Sequence, residues 1–298
     1  MRIPLIIGPT ATGKTAMAEE LCRKYDGEII SADTGTFYRG MDIGTGKTTL
    51  SDDITYHLVD ILDPPERYTS IQFATDSRDI IDKITKKGKL PIICGGSMHY
   101  IHTLVDGLDP SPPPDEELRK SLRKEARNNP PGHLYSMLMD LDPELSSMVD
   151  PNNIKRIIRY IEKTLNETSG DPLPPLNLEH MIFFTSCSRE LQEHNVRGRT
   201  RKMLDSGWID EVRKLSLSGH LSKDRPVDPI GYNEIMVFLE DNGSRKELEE
   251  LIVRKTIELS RKQSRWRRRF DAADIDITCG LDHAVSTICT MLEVHPAV

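Results

Sequence analysis

The residues best suited to chemistry form a glycine-rich loop near the start of the chain. Residues 8–15 read Gly-Pro-Thr-Ala-Thr-Gly-Lys-Thr and match the phosphate-binding pattern G-x-x-x-x-G-K-[ST] at every fixed position. In such a loop, backbone N–H groups converge on phosphate oxygens at a helix N-terminus, the lysine adds a cation, and the last hydroxyl can bind Mg²⁺. The predicted phosphate-binding residues are Gly8, Pro9, Thr10, Ala11, Thr12, Gly13, Lys14 and Thr15.

The loop by itself leaves the reaction open. Most loops of this kind serve cleavage or transfer of the terminal phosphate of a nucleoside triphosphate, which favours a small-molecule kinase. The same donors and metal would also stabilise a diphosphate that departs as a leaving group, because the developing charge needs the same partners.

Two further candidates follow other apolar runs. Asp33 comes directly after residues 28–32, and Ser97 follows residues 90–94 and two glycines. Ligands of open parallel sheets bind at the carboxyl edge of the strands, so both side chains are expected beside the phosphate loop. Asp33 could deprotonate an acceptor, hold Mg²⁺ through water or cap a helix. Ser97 could present its hydroxyl to the phosphates or belong to a glycine-rich turn.

Strands and helices alternate in the first part of the chain. Apolar runs at residues 3–7, 28–32 and 90–94 have the length of buried strands, and a helical pattern spans residues 70–87. Residues 181–185 form a fourth apolar run that returns to the sheet. This alternation predicts an α/β fold with a P-loop NTPase-like parallel sheet flanked by helices.

The pattern changes after Gly107. Prolines at residues 112–114 interrupt the chain, and a purely helical stretch follows. The predicted helices there are 115–127, 133–141 and 152–165. We interpret residues 111–180 as an inserted all-helical subdomain, and residues 1–110 and 181–298 as the α/β core with a helical C-terminal region.

Charge is unevenly distributed along the chain. The net charge is −7, but residues 195–270 contain 18 Lys and Arg against 12 Asp and Glu. Helices are predicted at residues 189–217, 232–240 and 246–270. The part of the last helix from Arg254 to Arg269 carries eight cations and one acid, Glu258. Such a surplus in an acidic protein favours contact with a polyanion, and phosphate backbones are the usual polyanion.

The inserted subdomain carries two smaller basic clusters. Arginines recur every fourth residue from Arg119 to Arg127, and Lys155, Arg156 and Arg159 form the second cluster. From spacing alone, a solvated helix face is the more frequent explanation of such clusters.

Composition excludes several classes of protein. Hydrophobic residues make up 37% and charged residues 29% of the 298 residues, and no apolar run has the length of a membrane span. The first residues lead straight into a strand rather than a signal or transit peptide, which predicts a cytoplasmic protein. The five cysteines lack CxxC or Cys/His spacing, so neither a disulfide framework nor a zinc site is expected.

Taken together, motifs along almost the whole chain resemble the tRNA dimethylallyltransferase family. These motifs are GPTATGKT at 8–15, ISADTGTFYRGMDIGTGKT at 30–48, YHLVDILDP at 56–64, LPIICGGSMHYIHTLVDGL at 90–108, DPNNIKRIIRYIE at 150–162, RGRTRKMLDSGWIDEVRKL at 197–215, IGYNEI at 230–235 and RKQSRW at 261–266. The family transfers an isopentenyl group to the adenosine immediately 3′ of the anticodon.

The resemblance implies a role for each residue of the site. The phosphate loop, with Lys14 and Arg199, would hold the diphosphate of dimethylallyl diphosphate, and Thr15 would ligate Mg²⁺. Asp33 would accept the proton of the adenine amine. Ser97 stands where the family usually has threonine, near the bridging oxygen of the leaving group. Lys14, Thr15, Asp33 and Ser97 are thus the implied catalytic residues.

The resemblance also implies which residues contact tRNA. They are Asp33, Thr34, Gly35, Thr36, Ser97, Arg119, Lys155, Arg156, Arg159, Gly231, Tyr232, Lys262 and Gln263. A monomer is expected. Two alternatives remain: an adenylate isopentenyltransferase that acts on free adenine nucleotides, and, less favoured, a P-loop kinase. The inserted segment and its basic run favour tRNA, because a macromolecular RNA substrate explains both this segment and the basic C-terminal helix as surfaces that contact RNA.

Overall fold

A six-stranded parallel sheet carries the candidate residues. The computed structural model describes residues 2–64, 66–112, 114–166, 171–222, 227, 229–241 and 243–294. The strands are β1 (Ile3–Ile7), β2 (Gly27–Ala32), β3 (Tyr56–His57), β4 (Leu90–Gly95), β5 (His180–Ser186) and β6 (Ala272–Asp276). They lie in the order β3-β2-β4-β1-β5-β6, and each neighbouring pair is parallel. This confirms the predicted α/β class.

The central strands are buried on both faces. Every residue of β1 and β4 is buried, which explains why both sequences are continuous apolar runs. Gly95 of β4 pairs with Ile7 of β1 on one side and with Ala32 of β2 on the other. The phosphate loop, Asp33 and Ser97 therefore leave three neighbouring strands at the same edge.

Helices cover the sheet and build the rest of the fold. Those of the described residues are α1 (Lys14–Tyr25), α2 (Ser70–Lys86), α3 (Met98–Asp106), α4 (Glu116–Asn128), α5 (His133–Leu141), α6 (Pro143–Ser147), α7 (Ile154–Leu165), α8 (Arg189–Asp205), α9 (Trp208–Leu217), α10 (Tyr232–Asp241), α11 (Arg245–Arg265) and α12 (Leu281–Val294). α1 and α12 pack together against the sheet through Met17, Leu21 and Ile288. None of the described helices combines the length and apolar character needed to cross a membrane.

Helices α8 to α11 share an apolar core of their own. Trp208 and Tyr232 are almost completely buried in it, and their rings meet edge to face with centroids 5.7 Å apart. Leu248 and Ile252 of α11 pack into the same cluster, which also includes Met41 from the segment after β2. This core holds the C-terminal helices beside the carboxyl edge of the sheet.

Two strands of the sheet, β3 and β6, were not predicted from the sequence. β6, with the sequence Ala-Ala-Asp-Ile-Asp, has no apolar run, because it is an edge strand paired only with β5. β3 consists of two residues, too few to give a pattern. Helix α12 was also not predicted. Because β6 lies between α11 and α12, the C-terminal region is not purely helical as expected.

Two predicted helices have different bounds in the structure. The helix expected at residues 189–217 is divided into α8 and α9 by Gly207, whose φ of 98° lies in the left-handed region that favours glycine. The helix expected at 246–270 ends at Arg265 and continues as one 3₁₀ turn over Trp266–Arg269.

The chain divides into two compact units. One contains residues up to Asp106 and from Pro175 onwards, and the other spans Gly107–Pro174. The predicted boundaries, at residues 111 and 180, both lie later in the chain. A pair of backbone hydrogen bonds between Leu108 and Leu173, each 2.9 Å long, closes the second unit at its base and explains why it starts before the prolines.

The second unit is a small helical bundle built from α4 to α7. Leu122, Leu138, Ile157 and Ile161 are buried in its core. The carboxylate of Glu162 is also completely buried there. Helix α6 is short and was not predicted, whereas α5 has the predicted bounds.

Candidate functional site

A cavity of about 350 Å³ opens at the carboxyl edge of β1, β2 and β4. Most residues predicted to bind phosphate line it, together with Asp33, Thr36 and Arg199. The lining residues from the loop are Thr10, Ala11, Thr12, Gly13, Lys14 and Thr15. We call this cavity the phosphate-loop pocket. Cys94 lies in its wall, where burial raises the pKa of the thiol to about 12.

The phosphate loop is held in shape by close packing against β5. A Cβ atom placed on Gly8 would lie 2.3 Å from Oγ1 of Thr185, so only glycine fits there. Oγ1 of Thr12 donates to the carbonyl of Pro9 at 2.8 Å and lies 2.6 Å from Oγ1 of Thr185. Ala11 and Gly13 both have positive φ angles, 62° and 70°. These left-handed residues turn the loop so that it leads directly into the N-terminus of α1, the arrangement that binds phosphate.

Lys14 supplies a positive charge inside the pocket. Its Nζ donates to the carbonyl of Pro9 at 2.6 Å. Burial lowers the pKa of Lys14 to about 8, and the nearby charge of Asp33 partly opposes this shift. The ammonium group is therefore largely protonated at pH 7 and close to its titration range.

Arg199 brings a second cation to the pocket from α8. Its Nη2 donates to the carbonyl of Thr45 at 3.2 Å, and it lies against the backbone of Gly46. A Cβ atom on Gly46 would lie 2.7 Å from Nη2, so the glycine makes room for the guanidinium group. Two cations from distant parts of the chain thus face one cavity.

Asp33 is exposed at the pocket and begins a turn. Its Oδ1 accepts a hydrogen bond of 2.9 Å from the N–H of Gly35, so it caps the 3₁₀ turn Thr34–Phe37. Its other carboxylate oxygen makes no hydrogen bond with the residues that the structure describes. The side chain is thus a cap and also lines the cavity, and the capping role does not exclude proton transfer.

The turn after Asp33 is fixed by three hydroxyl groups. Oγ1 of Thr36 donates to the carbonyl of Asp33 at 2.9 Å and contacts Oγ of Ser31 at 2.8 Å. Oγ of Ser97 accepts from the N–H of Thr34 at 2.9 Å. Ser97 therefore ties the end of β4 to the end of β2, beside the candidate base.

Carboxamide side chains from the C-terminal helices grip the phosphate loop. Oε1 of Gln263 accepts from the N–H of Thr10 at 2.9 Å, and its Nε2 donates to the carbonyl of Gly96 at 2.9 Å. Gln192 donates to the carbonyl of Thr10 at 3.3 Å, and Asn195 donates to that of Ala11 at 3.2 Å. Gln263 was expected to contact tRNA, but both polar atoms of its amide bond to the protein.

Glu211 of α9 is a site residue that the sequence analysis missed. It accepts hydrogen bonds from the N–H groups of Asp42 and Ile43 at 2.9 and 2.7 Å, and from that of Gly44 at 3.3 Å. The hydroxyl of Tyr232 donates to the same carboxylate at 2.7 Å. Because the next residues, Thr45 and Gly46, line the pocket, Glu211 holds one of its walls.

Two residues expected to contact tRNA instead pack inside the C-terminal helical core. Tyr232 has no exposed surface, because its ring lies against Trp208 and its hydroxyl binds Glu211. Gly231, with φ of 104°, lies so close to Trp208 that an added Cβ would come within 2.1 Å of the indole. The structure thus differs from both predictions, and the motif around these residues serves packing.

Two of the predicted RNA-binding arginines in the second unit are tied to a buried acid. Arg119 and Arg159 both bond to Oε2 of Glu162, the former at 2.8 Å. Burial acts to raise the pKa of Glu162, but the hydrogen bonds from the two arginines outweigh it and lower the pKa. Both guanidinium groups are held by this acid and remain partly exposed, and their predicted contact with tRNA stays a prediction. Lys155 and Arg156 are exposed, and Arg156 lies over the ring of Tyr160.

The basic surface of α11 is smaller than the sequence suggested. Lys255 pairs with Glu234, and Arg267, just after the helix, pairs with Asp274. Lys246 and Arg254, earlier in α11, are exposed and have no ion pair to a described residue. Five further cations of this kind form a strip along the end of α11 and the 3₁₀ turn after it. They are Arg261, Lys262, Arg265, Arg268 and Arg269.

The pocket offers oxygen ligands rather than a prebuilt metal site. Among the described residues, no group of three or more His, Cys, Asp or Glu side chains is suited to hold a metal ion. The hydroxyl of Thr15 and the carboxylate of Asp33 both line the cavity. These hard donors fit Mg²⁺, which usually binds one or two protein groups together with phosphate oxygens.

Comparison with known proteins supports one family. The model of the family described as IPP transferase matches residues 36–270. A tRNA dimethylallyltransferase of Pseudothermotoga lettingae is 37% identical over 294 residues, covering 95% of this chain and 93% of the relative. That of Thermotoga neapolitana is 34% identical over 287 residues, covering 92% and 91%. A solved tRNA isopentenylpyrophosphate transferase of Staphylococcus epidermidis superimposes with a TM-score of 0.69, 26% identity and 99% coverage of both chains.

Proposed function

The chain belongs to the IPP transferase family, and we propose that it transfers the dimethylallyl group of dimethylallyl diphosphate to a tRNA adenosine. The acceptor is the exocyclic N6 amine of the adenosine immediately 3′ of the anticodon, and diphosphate is released. What carries this proposal is a single cavity that holds both a diphosphate cradle and the carboxylate of Asp33. The relatives named as tRNA dimethylallyltransferases support it.

The cradle explains how the leaving group departs. As the bond between C1 of the donor and the diphosphate oxygen breaks, negative charge grows on the diphosphate. Backbone N–H groups at the start of α1, with Lys14 and Arg199, line the cavity in which that charge would form. Preorganised donors of this kind stabilise a transition state more than they stabilise the ground state. Mg²⁺ bound through Thr15 would add a Lewis acid at the phosphate oxygens.

Asp33 accounts for the fate of the acceptor proton. The adenine amine is a weak nucleophile, and its nitrogen becomes acidic only as the new C–N bond forms. Asp33 is exposed at the pocket, with one carboxylate oxygen capping a turn and the other directed to no described protein donor. It therefore suits the role of a base that takes the proton from N6 as the electron pair of nitrogen bonds to C1.

Two surfaces favour tRNA over a free nucleotide or a kinase substrate. The exposed cations along the end of α11 form a basic strip, and the second unit adds Lys155 and Arg156 on α7. A free adenine nucleotide would need neither surface, whereas an RNA backbone needs both. We further propose that the protein acts as a monomer and in the cytoplasm, where tRNA is found.

Mass spectrometry of nucleosides tests this function directly. The protein is incubated with dimethylallyl diphosphate, Mg²⁺ and either unmodified tRNA or AMP, ADP and ATP, and the products are digested and analysed. We expect prenylated adenosine only from tRNA, at the position 3′ of the anticodon. Prenylated free nucleotide without tRNA product would establish the alternative acceptor. Transfer of the γ-phosphate of ATP to another molecule, without either prenylated product, would indicate a kinase.

A further inference from the structure

Gln263 connects the ends of two neighbouring strands across the active site. Its carboxamide accepts from Thr10 in the phosphate loop after β1 and donates to Gly96 in the turn after β4, both at 2.9 Å. Only an amide side chain offers an acceptor and a donor side by side in this way. The packing is close, because a Cβ atom on Gly96 would lie 2.6 Å from Nε2 of Gln263.

The connection continues to the candidate base. Ser97, the residue after Gly96, accepts a hydrogen bond of 2.9 Å from the N–H of Thr34, which directly follows Asp33. Hydrogen bonds therefore run from the phosphate loop through Gln263 and the turn after β4 to the end of β2. The donor cradle lies at one end of this network and the carboxylate at the other.

We propose that Gln263 is a positioning residue that sets the distance between the diphosphate of the donor and the adenosine amine. The assignment rests on the proposed function, and it differs from the tRNA contact that the resemblance implied. Both polar atoms of the carboxamide already bind protein partners at 2.9 Å, so an RNA group could bind only through the second N–H or the second lone pair, beside these bonds. A displacement of the reacting atoms by about 1 Å can lower the rate by about 10²-fold.

Two variants separate the two hydrogen bonds. Gln263→Met keeps the length of the side chain and removes both bonds. Gln263→Glu keeps an acceptor for Thr10 but places a carboxylate oxygen against the carbonyl of Gly96. A comparison variant, Gln192→Met, removes a 3.3 Å bond to Thr10 and reaches no other strand end. This variant therefore weakens the support of the loop but leaves the connection to β4 intact.

The measurement is single-turnover transfer with saturating tRNA and dimethylallyl diphosphate, alongside equilibrium binding of each substrate and a thermal melt. We expect both Gln263 variants to lose about 10-fold to 10²-fold in the single-turnover rate while both dissociation constants stay within about threefold of wild type. Gln192→Met is expected to lose less of its single-turnover rate than Gln263→Met, because it loosens the loop but keeps the link to β4. A rate loss at unchanged affinity is not what a residue that merely stabilises the fold would give.

Other outcomes overturn the assignment. A normal rate at saturation with weakened tRNA binding would make Gln263 an RNA contact. Equal rate losses in Gln192→Met and Gln263→Met would mean that the loop needs support and that the link to β4 is irrelevant. A wild-type protein that transfers nothing overturns the proposed function itself, whereas an active wild type with an equally active Gln263→Met overturns only this assignment.

Discussion

Lys14 and Asp33 carry opposite charges in one cavity, yet each has its own backbone partner. Lys14 donates to Pro9, and Asp33 accepts from Gly35. Each partner holds a side chain in place without neutralising it. The two charges are therefore available for different tasks, the cation for the diphosphate and the carboxylate for the acceptor, and each task can be tested separately.

The pKa of Lys14 predicts how donor binding depends on pH. Because burial lowers this pKa to about 8, the ammonium loses its proton as the pH rises through that value. We expect the affinity for dimethylallyl diphosphate to fall between pH 7 and pH 9, by about tenfold at one unit above the pKa. Calorimetric titration at several pH values measures it. Lys14→Arg, which stays charged, is the control for titration of the ligand, and an identical pH profile in that variant would contradict the role of Lys14.

Asp33→Asn separates the capping role of Asp33 from its role as a base. The amide oxygen of asparagine can still accept from Gly35, but the side chain no longer takes up a proton. We expect the single-turnover rate to fall about 10²- to 10⁴-fold with an unchanged melting temperature. Asp33→Ala, which removes both functions, should also lower the melting temperature. A rate within threefold of wild type in Asp33→Asn would leave Asp33 as a cap only.

How much of the site could be predicted from the sequence depends on how far apart along the chain the contacting residues lie. The phosphate loop is a local motif, so its residues could be read from consecutive positions. Gln263 and Glu211 contact partners more than 160 positions away, and no local pattern specifies such a pairing. Tyr232 was predicted to be functional because it lies in a family motif, but sequence alone does not tell a motif kept for packing from one kept for binding.

At the level of elements, helix α9 shapes the pocket from outside it. The carboxylate of Glu211 accepts hydrogen bonds from three successive backbone N–H groups, those of Asp42 to Gly44. The next residues, Thr45 and Gly46, line the pocket. A carboxylate that accepts several backbone N–H bonds is held much more firmly than one in a surface ion pair. Removing it leaves those donors without a partner.

Glu211→Ala is therefore expected to destabilise the protein. The loss of charge-assisted bonds to three N–H groups and a buried tyrosine hydroxyl should lower the free energy of unfolding by about 2–4 kcal/mol. Urea unfolding measures this value. The neighbouring Asp210, which is exposed and pairs only with Arg213 among the described residues, is the matched control. Asp210→Ala should change it by less than about 1 kcal/mol, and equal losses in both variants would contradict the role of Glu211.

The exposed cations at the end of α11 are expected to bind the phosphate backbone of tRNA. Reversing the charge of Lys262, Arg265 and Arg268 should weaken tRNA binding. The log–log slope of affinity against salt concentration should become shallower by about 0.7–0.9 for each phosphate that the variant no longer neutralises. Affinity for dimethylallyl diphosphate should stay unchanged. Filter binding at several salt concentrations measures the effect.

Charge reversal at Lys83 and Lys86, two exposed lysines of α2, is compared with reversal of Arg265 and Arg268 alone, so that the net charge changes equally in both variants. Equal loss of tRNA affinity in the α2 and α11 variants would indicate a nonspecific effect of charge. Unchanged binding in the α11 variant would make its cations a solvated face.

The sheet also indicates which elements could be predicted. β1, β2, β4 and β5 are flanked by strands on both sides, so nearly all of their residues are buried and their sequences are apolar. β6 has Asp at two of its five positions and is recognised only through its register with β5. Edge strands lack the burial that leaves a pattern in the sequence.

At the scale of the whole molecule, the second unit leaves and rejoins the core at neighbouring points. The N–H of Leu176 donates to the carbonyl of Val105 at 2.9 Å, so the core residues that flank the second unit are hydrogen-bonded to each other. A short loop can therefore replace residues 107–174 without stretching the core.

We expect a chain with a four-residue Gly/Ser loop in place of residues 107–174 to fold and to bind dimethylallyl diphosphate as wild type does. Its affinity for tRNA should fall, because Lys155 and Arg156 leave with the second unit. Calorimetry and tRNA titration check both statements. A core that fails to melt cooperatively would show that it depends on the second unit, and unaltered tRNA affinity would remove that unit from RNA binding.

The three amides around the phosphate loop are synthesised much later than the loop itself. Gln192 and Asn195 leave the ribosome more than 180 residues after the loop residues that they contact, and Gln263 follows 253 residues after Thr10. A nascent chain thus carries the phosphate-binding motif long before it has the side chains that fix its shape. Fragments cut short before α11 would keep the motif but lack the hydrogen bonds that link the loop to the turn after β4, so the proposed alignment of donor and acceptor requires that α11 has been synthesised.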